Sequence, residues 1–350
     1  WYITESGNDT TGTGATDDPF RSIQAGINFS SNDDSVTVAA GTYVENINFR
    51  GRNIKVAGED RETTIIDGNQ AGSVVVFENG EDSTAVLTDF TIINGSGTPG
   101  VYLFGGGIYF NSGSNPIIKN LTISNNSADY GGGISCHGST PRLENVLVTE
   151  NSVVYGAGGI ECDANMSLVN VTISGNTAND SGGGISIGAS PTLINVIING
   201  NSTNSNGGGI YCSGSSANPV LVNTTITNNS AESGTGGIFC ADDSNPILVN
   251  TVLWNDSSHE ISFRPDSYPN SITIYYSDIQ GGQDSIVTND NGTVTWGDGN
   301  IDVDPKFIDA ENDDYQLLAS SMLINAGHPD STDSDGSRGD MGAYPYLNSY

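Results

Sequence analysis

The chain has 350 residues, 46 of them glycine, with 35% hydrophobic and only 15% charged side chains. Ten basic residues stand against 41 acidic ones, a formal net charge of -31. That charge excludes nucleic acid as a partner and repels anionic lipid and acidic polysaccharide unless a bound cation or a local basic patch reverses the field.

The opening at Trp1 lacks a basic stretch, and any export signal is read as removed or never included. No run of eighteen apolar residues occurs, so membrane insertion is not expected. Residues 18–30 predict a short amphipathic helix with Asp18 as N-cap and Pro19 at the first helical position. Such a helix would cover the open end of a stacked array, where an uncovered coil leaves an unpaired edge. Short β-branched runs follow at Val36–Val38, Asn53–Val56 and Ser73–Phe77.

From about residue 108 to 255 one phrase recurs, P-x-L-x-N-V-T-I-x-x-N-S-A-x-x-x-G-G-G-I-x-C. Its isoleucine falls at Ile108, Ile134, Ile160, Ile185, Ile210 and Ile238, with spacings of 26, 26, 25, 25 and 28. One asparagine column runs through Asn120, Asn145, Asn170, Asn195, Asn223 and Asn250, and another through Asn126, Asn151, Asn176, Asn201 and Asn229. A period in the twenties is that of a solenoid whose repeats bury themselves only against their neighbours. The β-branched triplets between Gly, Asn and Ser make the units strands rather than helices. Three short strands and three bends per coil predict an all-β parallel β-helix of about 25 residues per turn. Coils about 4.8 Å apart place identical residues over one another. Bend asparagines are then expected to hydrogen-bond their own copies, and the glycine tract to supply positive φ. The sequons at Asn120 and Asn170 are read as ladder positions rather than glycosylation sites.

Cys136, Cys162, Cys212 and Cys240 each lie two residues after a repeat isoleucine, in one inward column. Cys136/Cys162 and Cys212/Cys240 are adjacent-coil pairs within disulfide reach; buried free thiols are the alternative. The residue between isoleucine and cysteine faces outward: Tyr109, Ser135, Glu161, Ser186, Tyr211 and Phe239. Tyr211 and Phe239 are expected to stack on an exposed strand face suited to a sugar ring. The 25-residue rhythm stops near residue 272. The division expected is one domain: cap 1–35, coils 36–271, and a loop-rich C-terminal cap 272–350. In that cap Asp330, Asp333, Asp335 and Asp340 crowd one glycine-containing loop. They are candidate Ca2+ ligands, with a polar loop held by Arg338 as the alternative. The tripeptide Arg338-Gly-Asp is not read as an adhesion signal.

Two segments carry a family resemblance. The opening Tyr2-Ile-Thr-Glu-Ser-Gly-Asn-Asp with Asp18-Pro-Phe-Arg-Ser-Ile-Gln-Ala-Gly-Ile resembles the start of secreted β-helix proteins of the pectin-lyase-like superfamily. Gly299-Asn-Ile-Asp-Val-Asp-Pro-Lys-Phe, Asp314-Tyr-Gln-Leu, Ile324-Asn-Ala-Gly and Asp335-Gly-Ser-Arg-Gly-Asp-Met-Gly-Ala-Tyr are similar to the closing segment of bacterial and archaeal surface β-helix proteins. The resemblance implies a right-handed helix and an extracellular or cell-surface address. It fixes no activity, since the superfamily holds both enzymes and structural proteins.

A lyase needs a base and a means of neutralising the uronate carboxylate. Lys119 and Arg142, 23 residues apart, are the weak catalytic candidates. The hydrolase set N-T-D, D-D, G-H-G, R-I-K is absent, and Asp242-Asp243 reads as a solvated turn. His137, His259 and His328 are too far apart in sequence for a shared site. The expected function is therefore a non-catalytic wall, sheath or adhesion component, with extracellular polysaccharide or like subunits as partners and homo-assembly as an option. A polysaccharide lyase or glycoside hydrolase is the alternative.

Overall fold

The computed structural model describes residues 1–100, 102–265 and 268–347. The chain is an all-β parallel solenoid of about 10 turns, and its contacts divide it into two compact units, Trp1–Ser167 and Leu168–Tyr350.

In the first unit each coil lays one strand on each of three parallel sheets. The coil from Ile134 is typical: Ile134–His137, Arg142–Glu144 and Leu147–Thr149, followed by a two-residue strand Ser152–Val153 that the sequence reading lacked. Register is residue over residue, as in Ile108↔Ile134↔Ile160 and Ile118↔Leu143. The middle residue of each triplet points inward, so Ile118, Leu143, Ile123 and Val148 are fully buried. The second unit repeats the arrangement, with Ile185↔Ile210↔Ile238↔Ile261 on one sheet and Leu193↔Leu221↔Leu248 on another.

Sharp bends are made by the asparagine columns. Asn120, Asn145, Asn170, Asn195, Asn223 and Asn250 all adopt φ between 50° and 54°, the left-handed region that asparagine tolerates better than other non-glycine residues. The expected ladders form within each unit: Asn126 Nδ2 donates to Asn151 Oδ1 at 3.0 Å, and Asn176 to Asn201 and Asn201 to Asn229 at 2.9 Å. In the Gly-Gly-Gly tract only the first residue needs positive φ, as at Gly131 (64°) and Gly207 (70°). The other two are required by stacking, because a Cβ on Gly208 would come within 2.4 Å of the Ser230 carbonyl oxygen.

Three expectations shift. The helix is Ile23–Phe29, capped by Ser22 Oγ, which accepts from the Ala25 N–H at 3.2 Å. Asp18 instead accepts from the Thr13 N–H, and Phe20 stays extended and buried against the Phe29 ring. A helix begun at Pro19 would pull that ring from the core. Glu45 accepts from the first-turn N–H groups of Ile23 and Gln24 at 2.8 and 3.0 Å, a carboxylate at a helix N-terminus.

The coils also run beyond residue 271. Asn270–Tyr275 pairs in parallel with Ile247–Val249 and Gly292–Trp296, and Asp278 bridges Ile301. An irregular 280–291 segment breaks the sequence rhythm without ending the stack. The true cap begins near residue 304. It folds back on the coils of its own unit, burying Leu317, Leu323 and Met341 against Val252, and Tyr315 and Ala343 against Ile197.

Candidate functional site

The second unit holds a cleft of about 880 Å³, within the size range of small-ligand sites. Its floor is the strand face of Ile210–Ser213, Ile238–Ala241 and Ile261–Phe263, where Tyr211, Phe239 and Ser262 lie in register. The rings of Tyr211 and Phe239 stack with centroids 5.7 Å apart and planes 16° from parallel, as the outward column predicts. The face is not open, however: Phe239 is only 7% exposed and Tyr211 is half-buried. Thr235, hydrogen-bonded to Ser262 across the floor, and the Glu232–Gly234 segment wall it on one side. Burial pushes the Tyr211 hydroxyl above its ordinary range.

Polar groups ring this floor. Asp180, Asn206, Glu232, His259, Arg264 and Asn289 all line the cleft. Asp242, expected to be a solvated turn, accepts from Ser213 Oγ at 2.9 Å and pairs with Arg264 Nη1 at 3.1 Å. It therefore fixes the guanidinium at the cleft edge. Column reading did not bring Arg264, His259, Asp180 and Glu232 together because none belongs to the repeat phrase. A signal was nevertheless present. Ladder residue to strand isoleucine spans nine residues from Asn229 to Ile238 (238 − 229) but five from Asp256 to Ile261 (261 − 256). The shortened coil has no counterpart of the Glu232–Gly234 wall.

Other sequence candidates fall elsewhere. Lys119 and Arg142 lie on adjacent strands but out of step, with Ile117↔Arg142 and Lys119↔Glu144 in register. Arg142 Nε hydrogen-bonds Glu144 Oε1. The expected basic spot is therefore countered by a carboxylate between its two members. The cysteine pairs are in register, Cys136↔Cys162 and Cys212↔Cys240, yet all four are buried thiols rather than disulfides. Cys136 and Cys162 donate to the carbonyls of Ser139 and Ala164 at 3.2 and 3.0 Å. Parallel stacked side chains keep their Cβ atoms near the ~4.8 Å strand spacing, beyond the ~3.5–4.5 Å a disulfide uses. Burial pushes Cys162 and Cys240 up to about 12, which makes them poor nucleophiles.

Of the four cap aspartates, Asp333, Asp335 and Asp340 lie near one another and Asp330 stands apart, and their oxygens are largely taken up by backbone N–H groups. Asp340 spends its oxygens on the N–H groups of Asn325 and Tyr346, both at 2.6 Å. Asp335 accepts from the N–H of Ser337 at 2.9 Å, and Asp330 is almost fully exposed. Burial, with the Asp340 carboxylate beside it, pushes Asp333 up to about 6. Arg338 Nε donates to the Gly327 carbonyl at 2.7 Å, bracing the loop through its backbone. Among the described residues no group of three or more His, Cys, Asp or Glu is placed to hold a metal.

One further constellation lies in the first unit. Ser135 Oγ and His137 Nε2 are 3.0 Å apart, and His137 Nδ1 is 3.1 Å from Asp163 Oδ2. The order matches a nucleophile–base–orienter relay. Ser135 is 0% exposed, so no substrate carbonyl reaches its oxygen. Phe104 packs edge-on to His137 at 5.0 Å and stacks on Tyr130 at 5.5 Å, and the cluster serves packing.

These columns, bends and stacked sheets are those of a β-helix. The chain belongs to the family described as the right-handed β-helix region, whose pattern matches residues 24–226. Pectate lyase Pel9A superimposes with a TM-score of 0.57 at 16% identity, covering 99% of this chain and 96% of that one. Pectin methylesterase from carrot gives 0.39 at 11% identity (85% and 88% covered), and a rhamnogalacturonan lyase 0.32 at 13% (88% and 90%). The likeness to pectate lyase Pel9A shows the fold alone. No curated protein matches the chain. Among the described residues no helix is long and apolar enough to cross a membrane.

Proposed function

We propose that this chain is an extracellular, non-catalytic carbohydrate-binding protein that receives a polysaccharide segment over Tyr211 and Phe239. The observation that carries the reading is the cleft of about 880 Å³ floored by that ring pair and rimmed by Asn206, Asp180, Glu232 and the Arg264–Asp242 pair. An aromatic face offers apolar contact to the C–H face of a sugar while the rim supplies directional hydrogen bonds. A net charge of -31 favours a neutral glycan over a uronate chain. Such binding suits a wall, sheath or adhesion component.

A glycoside hydrolase is the second reading. Two carboxylates, Asp180 and Glu232, line the same cleft, and paired acids are what glycosidic cleavage uses.

One experiment separates them. The protein is incubated with neutral and acidic polysaccharides, and both retained protein and newly released reducing ends are measured. Retention of a neutral glycan without release is expected, with Tyr211→Ala weakening it about tenfold, the worth of one aromatic contact. Release that disappears in Asp180→Asn or Glu232→Gln would assign a hydrolase. Absence of both retention and release would overturn the cleft as a glycan site and leave self-assembly as the role to measure.

A further inference from the structure

The second unit's inner asparagine ladder does not end in asparagine. Asn176, Asn201 and Asn229 are followed by Asp256, whose Oδ1 accepts from the Asn229 backbone N–H and from Asn229 Nδ2 at 2.9 Å. In the rungs below, the second amide atom is a donor: Asn201 Nδ2 reaches the Ile173 carbonyl and Asn229 Nδ2 the Ile198 carbonyl, each at 2.9 Å. Asp256 Oδ2 takes that donor position. A Cβ on Gly209 would lie 3.1 Å from Asn229 Nδ2, and one on Gly237 would lie 3.1 Å from Asp256 Oδ2. An acceptor has replaced a donor.

A second replacement meets the first. Ile238↔Ile261 register puts Glu260 in the column of Gly237, the last glycine of the tract. Its Oε1 accepts from the Asp256 N–H at 3.1 Å. Asp256 Oδ2 and Glu260 Oε2 are both buried without a hydrogen-bond partner, and the residues are 7% and 6% exposed. Among the described residues neither carboxylate has an ion-pair partner. Glu81, fully buried in the first unit, shows the contrast. Its oxygens accept from the Gly51 N–H at 2.7 Å, the Asn79 N–H at 3.1 Å and Ser114 Oγ at 2.7 Å. Glu81 has donors on both of its oxygens, whereas Asp256 and Glu260, side by side, each keep one oxygen without a donor.

Burying two carboxylates without countercharge is costly. One shared proton still leaves one negative charge. A single divalent cation neutralises both and gives the two orphan oxygens a ligand. Next to the pair is a cavity of about 370 Å³, lined also by Ser257, Ser258, Gln280 and Ser285. His259 also lines the cavity, but oxygen groups predominate, and in an irregular setting they suit Ca2+ better than Zn2+, which takes nitrogen and sulfur, or Mg2+, which demands octahedral geometry. We propose that Asp256 and Glu260 bind one divalent cation of the Ca2+ class at the end of the asparagine ladder. This site is separate from the glycan reading and stands or falls without it.

The test uses the full chain stripped with a chelator and then titrated with Ca2+, and in parallel with Mg2+, by calorimetry and thermal unfolding. Wild type is expected to bind one more Ca2+ per chain than Asp256→Asn or Glu260→Gln. Its Tm should rise saturably with Ca2+ beyond any response of the variants, and Mg2+ should act more weakly. Asp256→Asn restores the residue type of the three rungs below, so it is expected to fold. Equal stoichiometry and equal Tm response in wild type and both variants would place all Ca2+ on the acidic surface and overturn the site. A wild-type Tm indifferent to Ca2+ but raised by Asp256→Asn at pH 8 would also overturn it, assigning the pair a trapped proton instead.

Discussion

A single buried amide shows how much of this fold rests on side-chain hydrogen bonds. Asn201 is fully buried. Its Oδ1 accepts from Asn176 N and Nδ2 at 3.0 and 2.9 Å, while its Nδ2 serves the Ile173 carbonyl and Asn229 Oδ1. Asn201→Ala would strip partners from buried groups on both neighbouring coils, each costing roughly 1–3 kcal/mol. The expected destabilisation is on the order of 3–5 kcal/mol in urea unfolding. Asn195 belongs to the more exposed ladder, with φ 54° and a 3.1 Å bond to Asn170 Oδ1. Water can replace its side-chain contacts, so Asn195→Ala should cost only the ~1–2 kcal/mol of a left-handed alanine. Equal costs for the two variants would show that the inner ladder is not held by its buried hydrogen bonds.

At the scale of one coil, glycine does two different jobs, and substitution separates them. Gly208 has no positive φ, but an added Cβ would meet the backbone oxygens of Ser230 at 2.4 Å and Gly236 at 2.7 Å. Backbone in a stacked sheet cannot yield. Gly214 sits at a bend with φ 102° and nothing within 4 Å of its added Cβ. Gly208→Ala is therefore expected to lower stability by more than about 4 kcal/mol or prevent folding, and Gly214→Ala by roughly 1–2 kcal/mol of backbone strain alone. Circular dichroism melts of the two variants check the order. The same contrast explains what the sequence disclosed. Residues that repeat by translation were legible: the isoleucine columns, both asparagine ladders, the cysteine register and the Tyr211–Phe239 stack all follow from one coil lying on the next. What departs from translation was not. The cleft arises from four residues missing before Ile261, and its rim from Arg264, His259 and Glu232, which match no column. The helix start moved to Ser22 because Phe20 is needed in the core, a tertiary demand that outweighs the local signal at Asp18 and Pro19.

For the whole molecule, charge sets an unusual pH response. Ordinary acid denaturation protonates carboxylates that the fold had stabilised in their charged form. Here Asp278 is fully buried, with Oδ2 unpartnered and only the Val303 N–H, at 3.0 Å, serving Oδ1. Burial, reinforced by the charges of Asp302 and Asp304, pushes it up to about 7. A carboxyl whose folded pKa exceeds its unfolded value binds more protons when folded. Its stabilising contribution is thus complete below about pH 4 and is lost as pH rises through 7. Self-repulsion at a net charge of -31 acts in the same direction. In chelator, wild type is expected to lose on the order of 2–3 kcal/mol between pH 5 and pH 8 through Asp278 alone. Asp278→Asn should be neutral or harmful at pH 5, raise Tm at pH 8, and flatten the profile between them. Differential scanning calorimetry across that range decides it: a wild-type Tm that climbs from pH 5 to pH 8 would mean that Asp278 is ionised in the folded chain and that a counterion or water offsets its burial.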